Sequence, residues 1–207
     1  MYDDNFYAVS RDGMIKSAAA LVPSLRREVA VEGRVIDVGC GEGWWAEEFA
    51  KHECEVIGLD GGWHGDHRLG DRFIPHNLLE RLPEHLHGQF DAVVCLEVAE
   101  HLRERRAASF VEDLCSLIDG HGLVFFSAAI PGQGGTGHVN EQWPAYWGEL
   151  FNRNGFNVNS DFRFTIWNDD RIENWYRQNL LVAYPAAIFD AAPLPVVHPV
   201  LWNARRG

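Results

Sequence analysis

The sequence predicts a doubly wound α/β fold built on a mainly parallel sheet. Three observations carry this. Apolar runs of strand length alternate with segments of helical spacing along the chain. The run Val35-Ile36-Asp37-Val38 is stopped by a glycine turn, Gly39 to Gly43, and continues at once as the helix-like stretch Trp44–Ala50. The unusual clusters, Gly39–Gly43, Asp60–Gly62, His76-Asn77, Glu97–His101 and Ile130–Asn140, all follow an apolar run, where ligands bind in such sheets.

Each element follows from local pattern. Residues 14–30 place Ile15, Ala18, Leu21, Val22, Leu25 and Val29 on an amphipathic helix, with Pro23 as a kink or a restart. Residues 34–38 form the first strand and 44–52 the first crossover helix. Glu55–Asp60 is a second strand ending in an acid, followed by a loop rich in glycine and histidine up to Gly70. Arg72–Leu78 reads as a short third strand near a sheet edge, because Pro75 cannot donate to a ladder. Phe90–Leu96 is a fourth strand, apolar enough to be buried on both faces. Residues 99–118 have helical spacing at Leu102, Ala107, Phe110, Leu114 and Ile118, and Gly122–Ala129 is the fifth strand. A glycine loop from Pro131 to His138 leads to a helix over Trp143–Asn154, stopped by Gly155. Phe156–Phe164 and Asn179–Tyr184 read as closing strands, with one or two helical turns within Asp169–Arg177 between them.

At 207 residues the chain is expected to be a single domain. Residues 1–32 form a helical cap, 33–184 the α/β core and 185–207 an irregular tail containing Pro193, Pro195 and Pro199. The net charge of −12 argues against nucleic acid and anionic membranes as partners. Arg103, Arg105 and Arg106 form a dense basic cluster that reads as an exposed helical turn. No apolar run reaches the ~20 residues of a membrane span. Met1–Asn5 lacks the basic and apolar regions of a signal peptide, so a cytoplasmic protein is expected. Cys40, Cys54, Cys95 and Cys115 lie in or beside apolar stretches without zinc-site spacing, as buried free thiols do.

A strand, a glycine turn and a helix bring backbone N–H groups and a helix N-terminus towards a ligand. A dinucleotide fingerprint needs a third glycine where this chain has Trp44, which would obstruct a pyrophosphate. The pattern D-x-G-x-G-x-G over Asp37–Gly43 instead resembles the first motif of class I S-adenosylmethionine (SAM) methyltransferases, the small bacterial type in particular. The resemblance spans residues 33–183. It implies a Rossmann-like, mainly parallel seven-stranded sheet with an antiparallel last strand and helices on both faces, and SAM as cofactor. Asp37, Gly39, Cys40, Gly41 and Trp44 would line the methionine arm, and Asp60 with Gly61 would hold the ribose. Asn77 and Leu78 stand where the family contacts and covers adenine, although the more usual aspartate is missing. Leu96 and Glu97 follow the fourth strand on the cofactor side.

Methyl transfer to oxygen or nitrogen also needs a proton acceptor or a metal. Glu97, Glu100 and His101 form ExxEH, which on a helix would put two carboxylates and an imidazole on one face to hold Mg²⁺ or a similar ion. Similar segments occur in ubiquinone-pathway O-methyltransferases and small-RNA 3′-terminal methyltransferases. His138, after the glycine loop, is the first candidate base and His101 the next, while Asn140 or Glu141 would cap the following helix. His64 and His67 read as solvated loop residues, and Trp143, Trp147 and Trp167 as candidates for an aromatic pocket. Phe6, Tyr7 and Arg11 precede the first helical pattern, where such segments close over SAM. The expected activity is O-methylation of a small-molecule or sugar hydroxyl. The alternatives are a metal-dependent RNA ribose 2′-O-methyltransferase and a non-catalytic partner protein of the same fold.

Overall fold

The structure, a computed structural model, describes residues 4–29, 31–61, 67–186, 193 and 195–204. The side chains of Phe6 and Tyr7, and Gly62 and His64 entirely, lie outside the described residues.

Seven strands form one sheet in the order β3-β2-β1-β4-β5-β7-β6. They are β1 (Arg34–Val38), β2 (Glu55–Asp60), β3 (Phe73–Pro75), β4 (Phe90–Leu96), β5 (Ile118–Ser127), β6 (Phe156–Asn159) and β7 (Leu181–Pro185). The first five run parallel, and β7 lies antiparallel between β5 and β6. β1 pairs with β2 on one side and β4 on the other, so the winding reverses at the glycine turn. The parallel strands need helical crossovers, and α2 (Trp44–Lys51), α3 (Glu104–Ser116) and α4 (Pro144–Arg153) fall between them.

Alternation along each strand feeds two separate apolar layers. Ile36, Val93, Val124 and Phe126 face Phe110 and Leu114 of α3 and Trp147 and Phe151 of α4. Val35, Ala92, Val94 and Phe125 face Leu21 and Leu25 of α1 (Asp4–Val29) and Phe49 of α2, together with Phe162 and Tyr176. Each layer excludes water from one face, which is why the central strands read as continuous apolar runs.

Several expectations need correction. Arg34–Val38, Glu55–Asp60 and Phe90–Leu96 are strands as expected, but the first helix begins at Asp4 and runs through Pro23. Residues 99–118 do not form one helix. A 3-10 turn over Ala99–His101 precedes α3, so ExxEH does not lie along a helical face. The segment Phe156–Phe164 leaves the sheet after Asn159 and becomes α5 (Phe162–Ile166), whose Phe162 and Ile166 bury into the second apolar layer. The helical turn expected within Asp169–Arg177 is α6 (Asn174–Asn179). The segment expected to be irregular carries α7 (Pro199–Ala204), which proline can start because its missing N–H is not needed there. Arg106 is buried, not part of an exposed turn: it contacts the carbonyls of Leu78 and Glu80 and the carboxylate of Asp113. The four cysteines are buried free thiols. Among the described residues no helix is long and apolar enough to cross a membrane.

Candidate active site

The glycine turn is shaped by steric need. Gly39 has φ +80°, and a Cβ there would lie 2.4 Å from Val98 Cγ2. Gly43, with φ +88°, caps α2 from the left-handed region, where only glycine is unstrained. The N–H of Gly39 donates to the Leu59 carbonyl at 2.7 Å, tying the turn to the end of β2.

Asp60 then reaches back from β2. Its carboxylate accepts from the N–H of Gly41 at 2.7 Å and from that of Gly61 at 2.6 Å. Burial raises its pKa against those two hydrogen bonds. Asp37 lies deeper, at 3% exposure, and its Oδ2 has no hydrogen-bond partner. Burial and the neighbouring Asp60 charge push its pKa up to about 8, with a backbone hydrogen bond from Ala46 opposing them. Two neighbouring carboxylates, one with an unpartnered oxygen, are a place for a cation. Cys40 is buried beside them, and Trp44 donates through its indole N–H to Glu42 at 2.9 Å. Glu42 also pairs with Arg11 of α1, and Arg68 stacks 3.5 Å from the Trp44 ring centroid.

His67, expected in solvent, is buried behind this turn. Its Nδ1 accepts from the Leu69 N–H at 3.1 Å, so its Nε2–H donates to the Gly41 carbonyl at 2.8 Å. Nothing in the local sequence signals this, since the partner lies 26 positions away.

On the neighbouring strands a second set converges. Glu97 sits just beyond β4 in the left-handed region, φ +55°, with its N–H donating to the Ser127 carbonyl. Its carboxylate accepts from Gln133 Nε2 and Asn179 Nδ2, each at 3.0 Å. Burial raises its pKa while these donors lower it. Glu100 is fully buried, and neither of its carboxylate oxygens has a hydrogen-bond partner of good geometry. Burial and then the Glu97 charge hold its pKa well above the carboxylate range.

The Glu100 carbonyl accepts from the N–H groups of Val139 and Asn140, which draws the loop after β5 onto the 3-10 turn. His138 thereby meets His101, with ring centroids 4.8 Å apart. Donor atoms of Glu100, His101 and His138 all lie within 4.8 Å of one another. The expected metal set was Glu97, Glu100 and His101. The observed cluster gains His138, while the Glu97 carboxylate is taken up by Gln133 and Asn179. Burial, and to a lesser extent His138, lowers the His101 pKa to about 4, so its imidazole is neutral at pH 7.

Glu141 does not cap α4. It accepts from the N–H groups of Gly132 and Gly134 and from His138 Nδ1 at 2.9 Å. These contacts hold its pKa down against burial. An ionised carboxylate cannot donate, so Nδ1 carries the proton and Nε2 is left with the lone pair when the ring is neutral. Nε2 packs on Gly135, where a Cβ would come within 2.4 Å of it.

The segment expected to cover adenine follows β3. The Asn77 side chain accepts from Leu79 N–H and donates to Glu80, so its free capacity is partial. Leu78 packs on the first apolar layer, and its carbonyl is held by Arg106. Leu96 is buried at the end of β4. The three tryptophans do not form one pocket. Trp147 is core, Trp167 packs on Phe164 and His198, and Trp143 is 40% exposed near His138 in sequence.

Known proteins resemble this chain in sequence and in fold. The ubiquinone biosynthesis O-methyltransferase of Acinetobacter baumannii (strain AYE) is 35% identical over 106 residues, 45% of this chain and 43% of that protein. The chain therefore matches less than half the length of this curated relative. Two solved structures share the fold. One is magnesium protoporphyrin IX methyltransferase from Synechocystis PCC 6803 with bound S-adenosylhomocysteine (SAH). It has TM-score 0.58 and 19% identity, covering 90% of this chain and 89% of that one. The other is 1,6-didemethyltoxoflavin-N1-methyltransferase of Burkholderia thailandensis, with TM-score 0.64 and 15% identity, covering 88% and 83%. The profile of the family described as "Methyltransferase domain" matches residues 11–161, most of the chain, and the chain belongs to that family.

Proposed function

We propose that the chain is a SAM-dependent O-methyltransferase acting on a small-molecule hydroxyl, a phenol or a sugar, in the cytoplasm. The observation that carries the reading is the paired arrangement at one end of the sheet. A glycine turn with one buried acid, Asp37, and one half-buried acid, Asp60, stands beside a base cluster built from the loops after β4 and β5.

The residues present fit SAM. The orphaned Asp37 oxygen and its elevated pKa suit the cationic amino-acid end. The Asp60 oxygens each accept one backbone N–H and keep lone pairs for the ribose hydroxyls. When bound, SAM supplies a methyl group on a sulfonium. His138 Nε2 would take the proton of the acceptor hydroxyl that receives the methyl group. Glu141 keeps His138 in the tautomer that permits this. Exposed Val139 lies within the His138–Glu141 segment and exposed Trp143 two residues beyond it, and they favour an acceptor with an apolar body. The relatives named ubiquinone biosynthesis O-methyltransferase support oxygen as the methylated atom.

The cluster also fits a divalent ion, because the unsatisfied Glu100 carboxylate requires a cation or a proton. In that alternative Glu100, His101 and His138 would hold the ion, and Mg²⁺ or Mn²⁺ would lower the pKa of a bound hydroxyl in place of His138 acting as the base. The surface charge of −12 disfavours an RNA acceptor.

Calorimetric titration with SAH tests the cofactor. The expected result is binding by the wild-type chain and loss of binding in Asp60→Ala. Binding of NADH with no binding of SAH would refute the reading. Methyl transfer from labelled SAM to phenolic and sugar acceptors, with and without added Mg²⁺ or Mn²⁺, tests the acceptor class and the metal.

A further inference from the structure

The loop after β2 contributes more to the glycine turn than its composition suggests. Leu69, 2% exposed, fills the space that Gly43 and Gly58 leave open. A Cβ on those glycines would lie 2.8 Å and 2.3 Å from Leu69 atoms. His67 stands two residues before it, 9% exposed, with its ring stacked on Phe73 at 3.9 Å. An apolar plug and a polar staple thus come from the same short segment.

Gly41 has φ +52° and no side chain to restrain it. Its N–H is held by Asp60 Oδ2 at 2.7 Å, and its carbonyl by His67 Nε2 at 2.8 Å. Either hold alone fixes one of the two peptide planes that meet at Gly41 and leaves φ and ψ free. Together they set both. Glycine loses more backbone entropy on ordering than any other residue, so pre-ordering it favours any ligand that needs it ordered.

We propose that His67 is a positioning residue for the cofactor. By clamping the Gly41 carbonyl it keeps the Gly41 N–H on Asp60, and so holds the Asp60 carboxylate in the orientation that receives the ribose hydroxyls. The role rests on the SAM reading above. His67 touches neither cofactor nor acceptor in it and acts through Gly41 and Asp60.

Two amide substitutions separate the contacts. The Nε2 of glutamine reaches where the imidazole Nε2 lies, so His67→Gln can keep the bond to Gly41. The Oδ1 of asparagine lies where Nδ1 does, so His67→Asn can keep only the bond from Leu69. Titration of the full chain with SAH is expected to give a Kd for His67→Gln within about threefold of wild type, and a Kd for His67→Asn weaker by about tenfold or more. The ligand-free thermal midpoints of the two variants are expected to agree within a few degrees. An asparagine variant that binds like wild type, or a glutamine variant that loses as much as asparagine, overturns the role of His67 alone. Absence of SAH binding by the wild-type chain overturns the cofactor reading, and this role with it. Long-range ¹H–¹⁵N spectra of the wild-type chain need no substitution. They are expected to show the Nε2–H tautomer of His67 with and without SAH, and a ring whose Nε2 carries no proton overturns the clamp.

Discussion

His138 Nδ1 lies 2.9 Å from the carboxylate of Glu141, which also accepts two N–H groups of the glycine loop. One acid therefore shapes the loop and orients the imidazole. His138→Ala is expected to lower kcat for methyl transfer about 10²- to 10⁴-fold, the usual contribution of a positioned base. Glu141→Gln is expected to lower it less while leaving SAH affinity within about twofold. Steady-state kinetics with a responsive acceptor checks both, and an unchanged kcat in His138→Ala would remove it from the chemistry.

Asp37 gives a pH dependence. In the folded, ligand-free chain it keeps its proton up to about pH 8, against 3.8 ordinarily. Between those values the folded state holds a proton the unfolded state has lost, so this group makes stability fall as pH rises. Asp37→Asn removes the effect. Its thermal midpoint relative to wild type is expected to climb from about pH 5 to pH 9, while its affinity for SAM falls. Thermal melts across that range decide it, and a constant difference would contradict the assignment.

The pair Arg106–Asp113 is a stability hub away from the chemistry. Asp113 is 1% exposed and also accepts from Arg81 and from the Leu82 N–H, so its loss strands Arg106 without its buried carboxylate partner. Asp113→Ala is expected to cost about 3–5 kcal/mol. At this chain length that lowers Tm by about 10 °C. Replacement of both Asp113 and Arg106 by apolar residues is expected to recover part of it. Denaturant melts measure both.

Gly39→Ala combines a left-handed φ of +80° with a collision against Val98. Loss of SAH binding and a lower Tm are expected. Val98→Ala in the same chain relieves the collision but not the backbone strain, so a partial recovery of Tm is the expected signature. Full recovery would show that φ at this position carries no cost.

Periodicity and turn chemistry are local properties, and the sequence by itself was enough for what depends on them. The alternation of apolar runs with helical spacing determined the wound sheet. The glycines from Gly39 to Gly43 and the acid at Asp60 determined the turn at the strand ends, where the Gly41 N–H meets the Asp60 carboxylate. Short segments were less legible. Phe156–Phe164 was apolar enough for a strand, yet Phe162 and Ile166 find more burial against the second layer as a helix.

Only the tertiary structure decided which side chains meet. ExxEH reads as a helical face, but Glu97 adopts a left-handed turn and the helix starts at Glu104, so Glu97 turns to Gln133 and Asn179 while His138 joins Glu100 and His101. His67 and Glu141 acquired their parts the same way, one from a segment 26 positions away and the other from the closing of a glycine loop. The contacts of His67, Glu97 and His138 with distant partners join chain segments far apart in sequence, and their energies exist only once the sheet has brought the strand ends together.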